Sequence, residues 1–392
     1  MKNSAKNIDT IVIHSGDEYN TTGAVVAPVW QSVNYKTKDL ITMAKISVED
    51  RPLGFYARYS TPVLKQLSSV MADLEKTEDA VLFGSGMSAI TSAIACTLKT
   101  GDHIVAQGNL YATTIKYLRD VLPKFGIKTT FVDQTNNKAF EKAVKKNTKL
   151  VYIETPSNPL MKITDLEFIG SLCRRKNILS VIDNTFASPI NQNPADFGID
   201  VIVHSATKYL GGHSDVLAGV VCGSKKFIHE CWEYAHVVGH VLAPNDASLL
   251  LRSVKTLPMR VAKQNENALE IARYLESHKK VKKVYHPGLM SHPQYMLAIS
   301  QMKGFGGCFS FELDCSYKKA VQFVESLQMF KIAVSLGGVE SVVTLPAAQW
   351  KPFYNQKQLK ATGISESLIR LAIGIENTED IIKDLERGFK KL

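Results

Sequence analysis

Short apolar runs alternate with segments of helical periodicity through the middle of the chain. Seven runs predict strands, at 80–83, 102–106, 128–132, 150–154, 179–183, 201–204 and 219–222. The segments between them predict helices, at 64–76, from the glycines at 84–86 to about 98, and at 113–124, 137–146 and 165–176. Strands that alternate with helices are typical of a mostly parallel sheet covered on both faces. The pattern therefore predicts a three-layer α/β domain.

The two ends of the chain have different patterns. Residues 1 to about 55 lack strong periodicity, which predicts an extended arm that packs on the rest of its own chain or on a neighbouring subunit. Residues 226–275 predict helices. Mixed elements follow, with strands at 307–312 and 368–373, a helix at 318–326, and a closing helix at 378–389 with Thr378 as its N-cap. These elements predict a smaller C-terminal α+β domain.

Composition places few limits on function. The chain has 392 residues, of which 45% are hydrophobic and 21% charged, values that are ordinary for a globular protein. No apolar run is long enough to span a bilayer, and residues 1–11 lack the apolar core of a secretory signal, so we expect a cytoplasmic protein that does not bind membranes. The six cysteines form no CxxC pair, which predicts buried free thiols and no metal site.

The net charge of +10 raises the question of nucleic-acid binding. Pairs of lysines are spread along the whole chain, and no basic run is interleaved with aromatic residues. This distribution favours a lysine-rich solvated surface, with a mild attraction for anionic small molecules, and we expect no nucleic-acid partner.

Candidate chemistry is densest in the sequence Ser205-Ala206-Thr207-Lys208, which follows an apolar strand. A partly buried lysine has a lowered pKa, and its neutral amine can form a Schiff base with an aldehyde cofactor. Ser205 and Thr207 can donate hydrogen bonds to a phosphate. The alternative interpretation is a surface lysine in a turn.

A second candidate is Asp183, which ends the run Val181-Ile182-Asp183 and is followed by Asn184 and Thr185. Ligands of α/β sheets bind at the carboxyl ends of strands. A carboxylate there can pair with a protonated pyridine nitrogen, and it thereby keeps a cofactor ring able to accept electrons. A helix cap is the alternative, whereas a magnesium carboxylate lacks the phosphate-loop motif that it would need.

Three further positions complete the set. Gly84-Ser85-Gly86-Met87 joins a strand to a helix, where backbone N–H groups and the helix dipole favour an anion. Tyr111 opens a helical segment and can stack on a cofactor ring. Asn158 lies in a loop after a buried strand and can bind a ring hydroxyl. Taken alone, Tyr111 and Asn158 are as well explained by packing and turn formation.

In this order and spacing, the motifs resemble the cystathionine γ-synthase family, enzymes of cysteine and methionine metabolism that depend on pyridoxal 5′-phosphate (PLP). The resemblance covers residues 10–390. It implies the aminotransferase-like fold type I, a mixed but mostly parallel sheet, and a homotetramer built from two catalytic dimers. It also implies an N-terminal arm at 1–60 that contacts the neighbouring subunit, a PLP-binding domain at 61–255, and a substrate-side domain at 256–392.

The resemblance assigns roles to individual residues. Lys208 corresponds to the lysine that holds PLP and moves protons, Asp183 to the partner of the pyridine nitrogen, and Tyr111 to the ring-stacking tyrosine. The remaining cofactor contacts correspond to Gly86, Met87, Asn158, Thr185, Ser205 and Thr207, with Tyr56 and Arg58 reaching the phosphate of the neighbouring subunit. The substrate contacts correspond to Ser335, Leu336 and Arg370, the arginine that binds the substrate α-carboxylate in a bidentate manner.

The choice within the family stays open in the sequence. Many γ-synthases and γ-lyases of the family carry a glutamate just before the Ser335-Leu336 loop, where this chain has Val334. The lack of a glutamate resembles methionine γ-lyases. Those enzymes, however, often have a cysteine two residues after the stacking tyrosine, where this chain has Thr113. Trp350 also departs from the family pattern and either reshapes the pocket or packs on the surface. We expect a cystathionine β-lyase or γ-lyase. The alternatives are a methionine γ-lyase, a γ-replacement enzyme (cystathionine γ-synthase or O-acyl-homoserine sulfhydrylase) and a non-catalytic PLP-binding homologue.

Overall fold

A seven-stranded sheet forms the centre of the computed structural model, which describes residues 7–350 and 364–392. Its strand order is β1-β7-β6-β5-β4-β2-β3. Strands β2 to β6 are parallel to one another, and β7 runs antiparallel to both of its neighbours, so the sheet is mixed. The strands are β1 (Asp79–Phe83), β2 (His103–Gln107), β3 (Lys128–Val132), β4 (Thr148–Glu154), β5 (Leu179–Asp183), β6 (Val201–Ser205) and β7 (Gly219–Gly223). All seven predicted strands are present.

Helices cover both faces of this sheet. The described residues form the helices α1 (Ile8–His14), α2 (Leu40–Ile46), α3 (Pro62–Leu74), α4 (Gly86–Ala95), α5 (Ala112–Lys116), α6 (Asn137–Ala143), α7 (Leu166–Lys176), α8 (Ser188–Asn191), α9 (Lys225–Val238), α10 (Pro244–Val254), α11 (Leu257–Ser277), α12 (Tyr295–Gln301), α13 (Tyr317–Ser326), α14 (Pro346–Trp350) and α15 (Thr378–Phe389). None of them is long and apolar enough to cross a membrane.

The two faces of the sheet bury different residues of the same strands. In β4, Val151 and Ile153 pack in the core beneath α3 and α7, whereas Leu150 and Tyr152 pack in the core beneath α4 and α9. Because successive strand residues point to opposite faces, a strand buried on both sides is apolar throughout. The three-layer α/β architecture predicted from the apolar runs is confirmed.

A second, five-stranded sheet lies in the C-terminal part of the chain. Its order is β10-β11-β12-β9-β8. The strands are β8 (Val281–Tyr285), β9 (Cys308–Leu313), β10 (Lys331–Ile332), β11 (Val342–Thr344) and β12 (Leu368–Ala372). The predicted strands correspond to β9 and β12. The sequence did not reveal β8, β10 and β11, because β8 is interrupted by two exposed lysines and the other two have only two and three residues.

The N-terminal segment is not extended throughout, which corrects the sequence prediction. Residues Ile8–His14 form the helix α1, and its Val12 is buried in the main core. The helix packs on α3 and α11 of its own chain. Beyond α1 the segment is largely exposed, with Val25 98% accessible. Helix α1 has only seven residues, so the helical spacing of Ile8, Ile11 and Val12 is too short a signal to predict it from sequence.

Two predicted helix details are wrong. The helix expected at 113–124 is α5 followed by a π-helical turn, Tyr117–Val121, and a 3₁₀ turn, Leu122–Phe125. Pro123 explains the break, because proline has no N–H and its ring crowds the carbonyl four residues earlier. The N-cap of α15 is Asn377, whose side chain accepts hydrogen bonds from the N–H groups of Glu379 and Asp380, whereas the Thr378 hydroxyl donates to the Asn267 side chain.

Candidate active site

The carboxyl ends of β4, β5 and β6 bring the predicted reactive residues to one edge of the large sheet. Asp183 ends β5 and is paired in register with Glu154 of β4 and Val203 of β6. Ser205 ends β6, and Lys208 follows three residues later. Parallel strands end at the same edge, so the sequence positions alone place a carboxylate, a hydroxyl and an amine side by side.

Lys208 is partly buried and points toward the C-terminal part of the chain. Its Nζ donates a hydrogen bond to the Ser335 hydroxyl at 2.6 Å. Burial lowers the pKa of the amine, and the nearby Arg370 cation lowers it further, while Asp183 acts in the opposite direction. A larger neutral fraction makes this amine a better nucleophile than a surface lysine.

Asp183 is a buried carboxyl group, with 6% of the residue exposed. Burial raises its pKa, and the opposing contributions begin with hydrogen bonds from Thr185, whose backbone N–H donates to Oδ1 at 3.0 Å. The Thr185 hydroxyl accepts from the Ser205 N–H at 2.8 Å and so ties the ends of β5 and β6 together. A cation that binds next to Asp183 would neutralise the charge of this buried carboxylate.

The start of α4 and the end of β6 form a cradle for an anion. Ser85 caps the ten-residue α4 with its hydroxyl, which accepts from the Ser88 N–H at 3.0 Å. The first N–H groups of a helix, here those of Gly86 and Met87, have no intrahelical acceptor. A Cβ atom on Gly86 would lie 2.6 Å from the Ser205 Cβ, so only glycine permits this approach. The Thr207 hydroxyl nearby donates to the Ala218 carbonyl at 3.3 Å.

Arg370 projects from β12 toward Lys208 and the loop that contains Ser335. One guanidinium nitrogen donates to the Ser335 carbonyl at 2.8 Å, and the other donates to the Asn158 side-chain oxygen at 3.2 Å. Its Nε is buried and has no hydrogen-bond partner within residues 7–350 and 364–392. A buried cation with a free donor is suited to a carboxylate ligand.

The loop that contains Ser335 is held in an unusual conformation. Ser335 has a φ of +82°, which is rare for a residue with a Cβ and is typical of functional sites. Gly337 has a φ of +78°, and a Cβ there would lie 2.6 Å from the Tyr209 backbone nitrogen. Leu336 is buried between them. The loop therefore packs directly on the segment that contains Lys208.

Tyr111 and Asn158 are both connected to Glu154, a residue that we did not single out in the sequence. Tyr111 is 48% exposed and precedes α5, and its backbone N–H donates to Glu154 Oε2 at 2.8 Å. The Asn158 N–H donates to Glu154 Oε1 at 3.4 Å. The signal was present, because Glu154 ends the buried run of β4 as Asp183 ends β5.

A comparison with known families decides the identity of this arrangement. The model of the family described as Cys/Met metabolism PLP-dependent enzyme matches residues 9–390. The chain belongs to this family. Its cofactor is PLP, and it is an enzyme of the PLP-dependent carbon–sulfur lyase type, as the motifs predicted.

Several relatives in the Cys/Met metabolism PLP-dependent family span the whole chain. The L-methionine gamma-lyase of Fusobacterium nucleatum subsp. nucleatum is 37% identical and covers 100% of both chains. The cystathionine beta-lyase of Coxiella burnetii is 40% identical over 98% of both. The crystal structure of cystathionine gamma-lyase from Lactobacillus plantarum in complex with L-serine has a TM-score of 0.91 at 36% identity, covering 98% of this chain and 99% of that one. The fold type predicted from the motifs is thus confirmed.

The residues at the sheet edge fit PLP. Lys208 supplies an amine of lowered pKa for the aldehyde, the cradle at Gly86 and Ser205 suits the phosphate, and the half-exposed ring of Tyr111 is available for stacking. Asp183 is the buried carboxyl that a protonated ring nitrogen requires. These are assignments by fit, and the individual contacts remain predictions.

Within the single chain, Tyr56 and Arg58 do not lie with the predicted PLP-binding residues at the edge of the large sheet. The Arg58 guanidinium donates to the His236 carbonyl at 2.7 Å and lies over the rings of Tyr56 and Tyr59, at 5.6 and 5.1 Å from their centroids. Both predicted phosphate contacts therefore lie beside α9. A role at the phosphate would require the site of a second subunit, as the family resemblance implies.

A cavity of about 450 Å³ opens beside Thr207 and the Ser335 loop. Its wall includes Thr207, Ser335, Leu336 and the 71% exposed Val334. Position 334 has no carboxylate, although Asp215 and Glu340 also line the cavity. The side chain of Trp350, the other departure from the family pattern, lies outside the described residues.

Proposed function

We propose that this enzyme cleaves the carbon–sulfur bond of cystathionine, on the β side to give homocysteine, pyruvate and ammonia, with γ cleavage as the close alternative. The observation that carries the proposal is the convergence of Lys208, Asp183 and Arg370 at one edge of the large sheet, where the Ser335 loop contacts both Lys208 and Arg370. It supplies a basic amine, a partner for the cofactor ring and a carboxylate clamp within one site. The β-lyase and γ-lyase names of the relatives support cystathionine as the substrate.

Each residue has a defined task in this proposal. PLP supplies an electron-accepting ring that stabilises negative charge at the substrate Cα. Arg370 binds the α-carboxylate through its free Nε and an adjacent nitrogen. Lys208, at 2.6 Å from the Ser335 hydroxyl, removes the Cα proton and returns it, and Ser335 keeps the amine directed toward the substrate. Asp183 holds a proton on the ring nitrogen.

Methionine γ-lyase activity is a second candidate. The specific observation in its favour is the apolar, exposed Val334, because an apolar side chain suits a methylthio group better than the distal ammonium group of cystathionine. The same cavity is also lined by the carboxylates Asp215 and Glu340, which leave cystathionine as the first candidate. The 37% identical methionine γ-lyase of Fusobacterium is consistent with it. A γ-replacement reaction uses the same residues and is tested with the same assay.

One product assay separates these activities. The enzyme is incubated with cystathionine, with methionine, and with O-succinyl-homoserine plus cysteine. Pyruvate with homocysteine supports β cleavage, 2-oxobutyrate supports γ cleavage, and formation of cystathionine supports γ-replacement. Lys208→Ala is the control and should give no multiple turnover. Absence of every product with PLP-loaded enzyme would refute the proposal and favour a non-catalytic homologue.

The proposal includes a cytoplasmic homotetramer built from two catalytic dimers. Its support is the position of Arg58 and Tyr56 away from the Lys208 group of their own chain, together with the exposed segment that precedes them. Free thiols at all six cysteines, each within the described residues, suit a reducing compartment.

A further inference from the structure

We propose that Glu154 is a positioning residue whose carboxyl group sets the position of the ring-stacking tyrosine and of the asparagine that supports the carboxylate clamp. The inference rests on the proposed function for its effect on turnover. Its effect on bound PLP depends only on the family assignment. The motif residues of the sequence do not include Glu154, although it ends the apolar run of β4 as Asp183 ends that of β5.

The geometry is a single side chain that connects two loops. Glu154 ends β4 and is 3% exposed. Oε2 accepts the Tyr111 N–H at 2.8 Å, and Oε1 accepts the Asn158 N–H at 3.4 Å. Tyr111 follows β2 and Asn158 follows β4, so the carboxyl group joins segments that are separate along the chain. Both bonds are made in a site shielded from water, where they are stronger than at the surface.

The backbone of Glu154 is itself held rigidly. Its N–H donates to Gln107 Oε1 at 3.1 Å, and its carbonyl accepts from Gln107 Nε2 at 2.7 Å. Gln107 is fully buried, and its Oε1 also accepts from the Thr164 hydroxyl at 3.0 Å. A carboxyl group fixed at its base by two hydrogen bonds can define the position of what it binds.

Tyr111 depends on this support. It occupies the N-cap position of α5, which has only five residues, and within the described chain its side chain makes no capping hydrogen bond. The ring is 48% exposed, so packing restricts it little. The buried carboxyl group of Glu154 thus anchors the tyrosine through a hydrogen bond to its backbone N–H.

Asn158 transmits the same support to the substrate side. Its side-chain oxygen accepts from Arg370 at 3.2 Å, so the chain of contacts runs from Glu154 through Asn158 to the guanidinium. Loss of the Glu154 carboxyl should therefore disturb both the stacking ring and the orientation of the clamp. These two effects are measurable separately, as cofactor optical activity and as KM.

Glu154 and Asp183 are neighbouring buried carboxyl groups, paired in register on β4 and β5, and each affects the ionisation of the other. Burial, and then the Asp183 charge, raise the pKa of Glu154 to about 8. Burial also raises the pKa of Asp183, and hydrogen bonds from Thr185 and the charges of His204 and Lys208 oppose this shift. Asp183 is available to bind the ring nitrogen, because the Glu154 oxygens already accept two backbone N–H groups.

The test compares Glu154→Gln, Glu154→Asp and Glu154→Ala as PLP-loaded enzymes. Glutamine keeps one acceptor oxygen, aspartate keeps the carboxyl group but is too short to reach both N–H groups, and alanine removes both acceptors. We expect kcat to fall roughly 10-fold in Gln and Asp and roughly 100-fold in Ala, with KM raised, as for loss of orientation. The visible circular dichroism of bound PLP should weaken while its absorbance remains, because Lys208 is intact.

Glu167→Gln, an exposed change on α7, is the matched control. If all three Glu154 variants keep kcat, KM and visible circular dichroism within twofold of the unchanged enzyme, the inference is wrong. Should Glu154→Ala fail to fold, Glu154→Gln decides by the same measurements, with the melting temperature recorded. If no substrate is turned over but the dichroism still changes, the proposed function fails and the positioning role stands.

Discussion

Lys208 lies between two charges of opposite sign, and this arrangement explains how one residue can serve as nucleophile and base. Arg370 lowers the pKa of the amine and Asp183 raises it, while burial sets the direction of the net shift. The hydrogen bond to Ser335 fixes the amine at 2.6 Å from a hydroxyl in a strained loop. The reactivity of this lysine therefore depends on residues from both sheets.

The guanidinium of Arg370 gives the first prediction. Arg370→Lys keeps a positive charge but loses the planar fork, the bond to Asn158 and the free Nε. We expect kcat/KM for the α-amino acid substrate to fall roughly 100-fold, chiefly through KM, with the visible absorbance of bound PLP unchanged. Steady-state kinetics check this, with the exposed Arg252→Lys as control. A variant within twofold of the unchanged enzyme would show that the arginine does not bind the carboxylate.

At the scale of elements, the approach of α4 to β6 defines the phosphate cradle. A Cβ on Gly86 would lie 2.6 Å from the Ser205 Cβ, closer than such atoms approach in proteins. We therefore expect Gly86→Ala to separate the helix from the strand and to weaken PLP binding about 10-fold or more.

The measurement is a titration of the apoenzyme with PLP followed by absorbance. Gly108→Ala is the matched control, because its nearest contact would be an ordinary 3.5 Å and its φ is not in the left-handed region. Equal affinity in the two variants would contradict the cradle.

A pair of buried histidines at the end of β8 predicts acid sensitivity. Burial, and then the neighbouring His292, lower the pKa of His286 to about 3, and burial lowers the pKa of His292 to about 4. The unfolded chain takes up protons near the ordinary value of 6.5. Stability is thus complete above that value and decreases as the pH falls from there toward the folded pKa values.

His286→Asn tests this, because the asparagine oxygen can accept the Gly288 N–H that now donates to Nδ1 at 3.0 Å, and it does not titrate. We expect the fall in unfolding free energy between about pH 7.5 and pH 5 to be smaller by about 2 kcal/mol than in the unchanged protein. Denaturant unfolding at both pH values measures it, with the exposed His14→Asn as control. An identical pH dependence would contradict a buried neutral His286.

Sequence patterns anticipated the large sheet better than the small one, for a physical reason. Strands buried on both faces, such as β4 and β5, must be apolar throughout, which makes them visible as runs. Strand β8 has two exposed lysines, and helix α1 has only seven residues, so neither gives a strong periodic signal. In the site, the motif residues could be recognised from their residue types and spacing. The contacts of Glu154 are with backbone N–H groups of two separate loops, and such contacts can be seen only in the folded structure.

At the scale of the whole molecule, the exposed N-terminal segment and Arg58 are the features on which the proposed contacts with a second subunit depend. The Arg58 guanidinium lies over two tyrosine rings and donates to the His236 carbonyl. These interactions hold a cation at the surface beside α9. In the proposed dimer, the same cation would neutralise a phosphate of the second subunit.

Arg58→Ala should therefore lower PLP affinity about 10-fold or more and reduce the dimer fraction at low protein concentration. Cofactor titration and analytical ultracentrifugation measure these two quantities. The exposed Arg252→Ala is the control. Unchanged affinity and assembly would exclude a phosphate site shared between subunits.

The contact between Lys208 and Ser335 spans 127 positions of the chain, and Arg370 comes later still. During synthesis on the ribosome, the amine is made long before the two groups that orient it. An unfinished chain thus carries a lysine without its clamp, and catalytic competence arrives only as the last strands emerge. A chain that stops before β12 therefore has the amine but lacks the guanidinium that we assign to the substrate carboxylate.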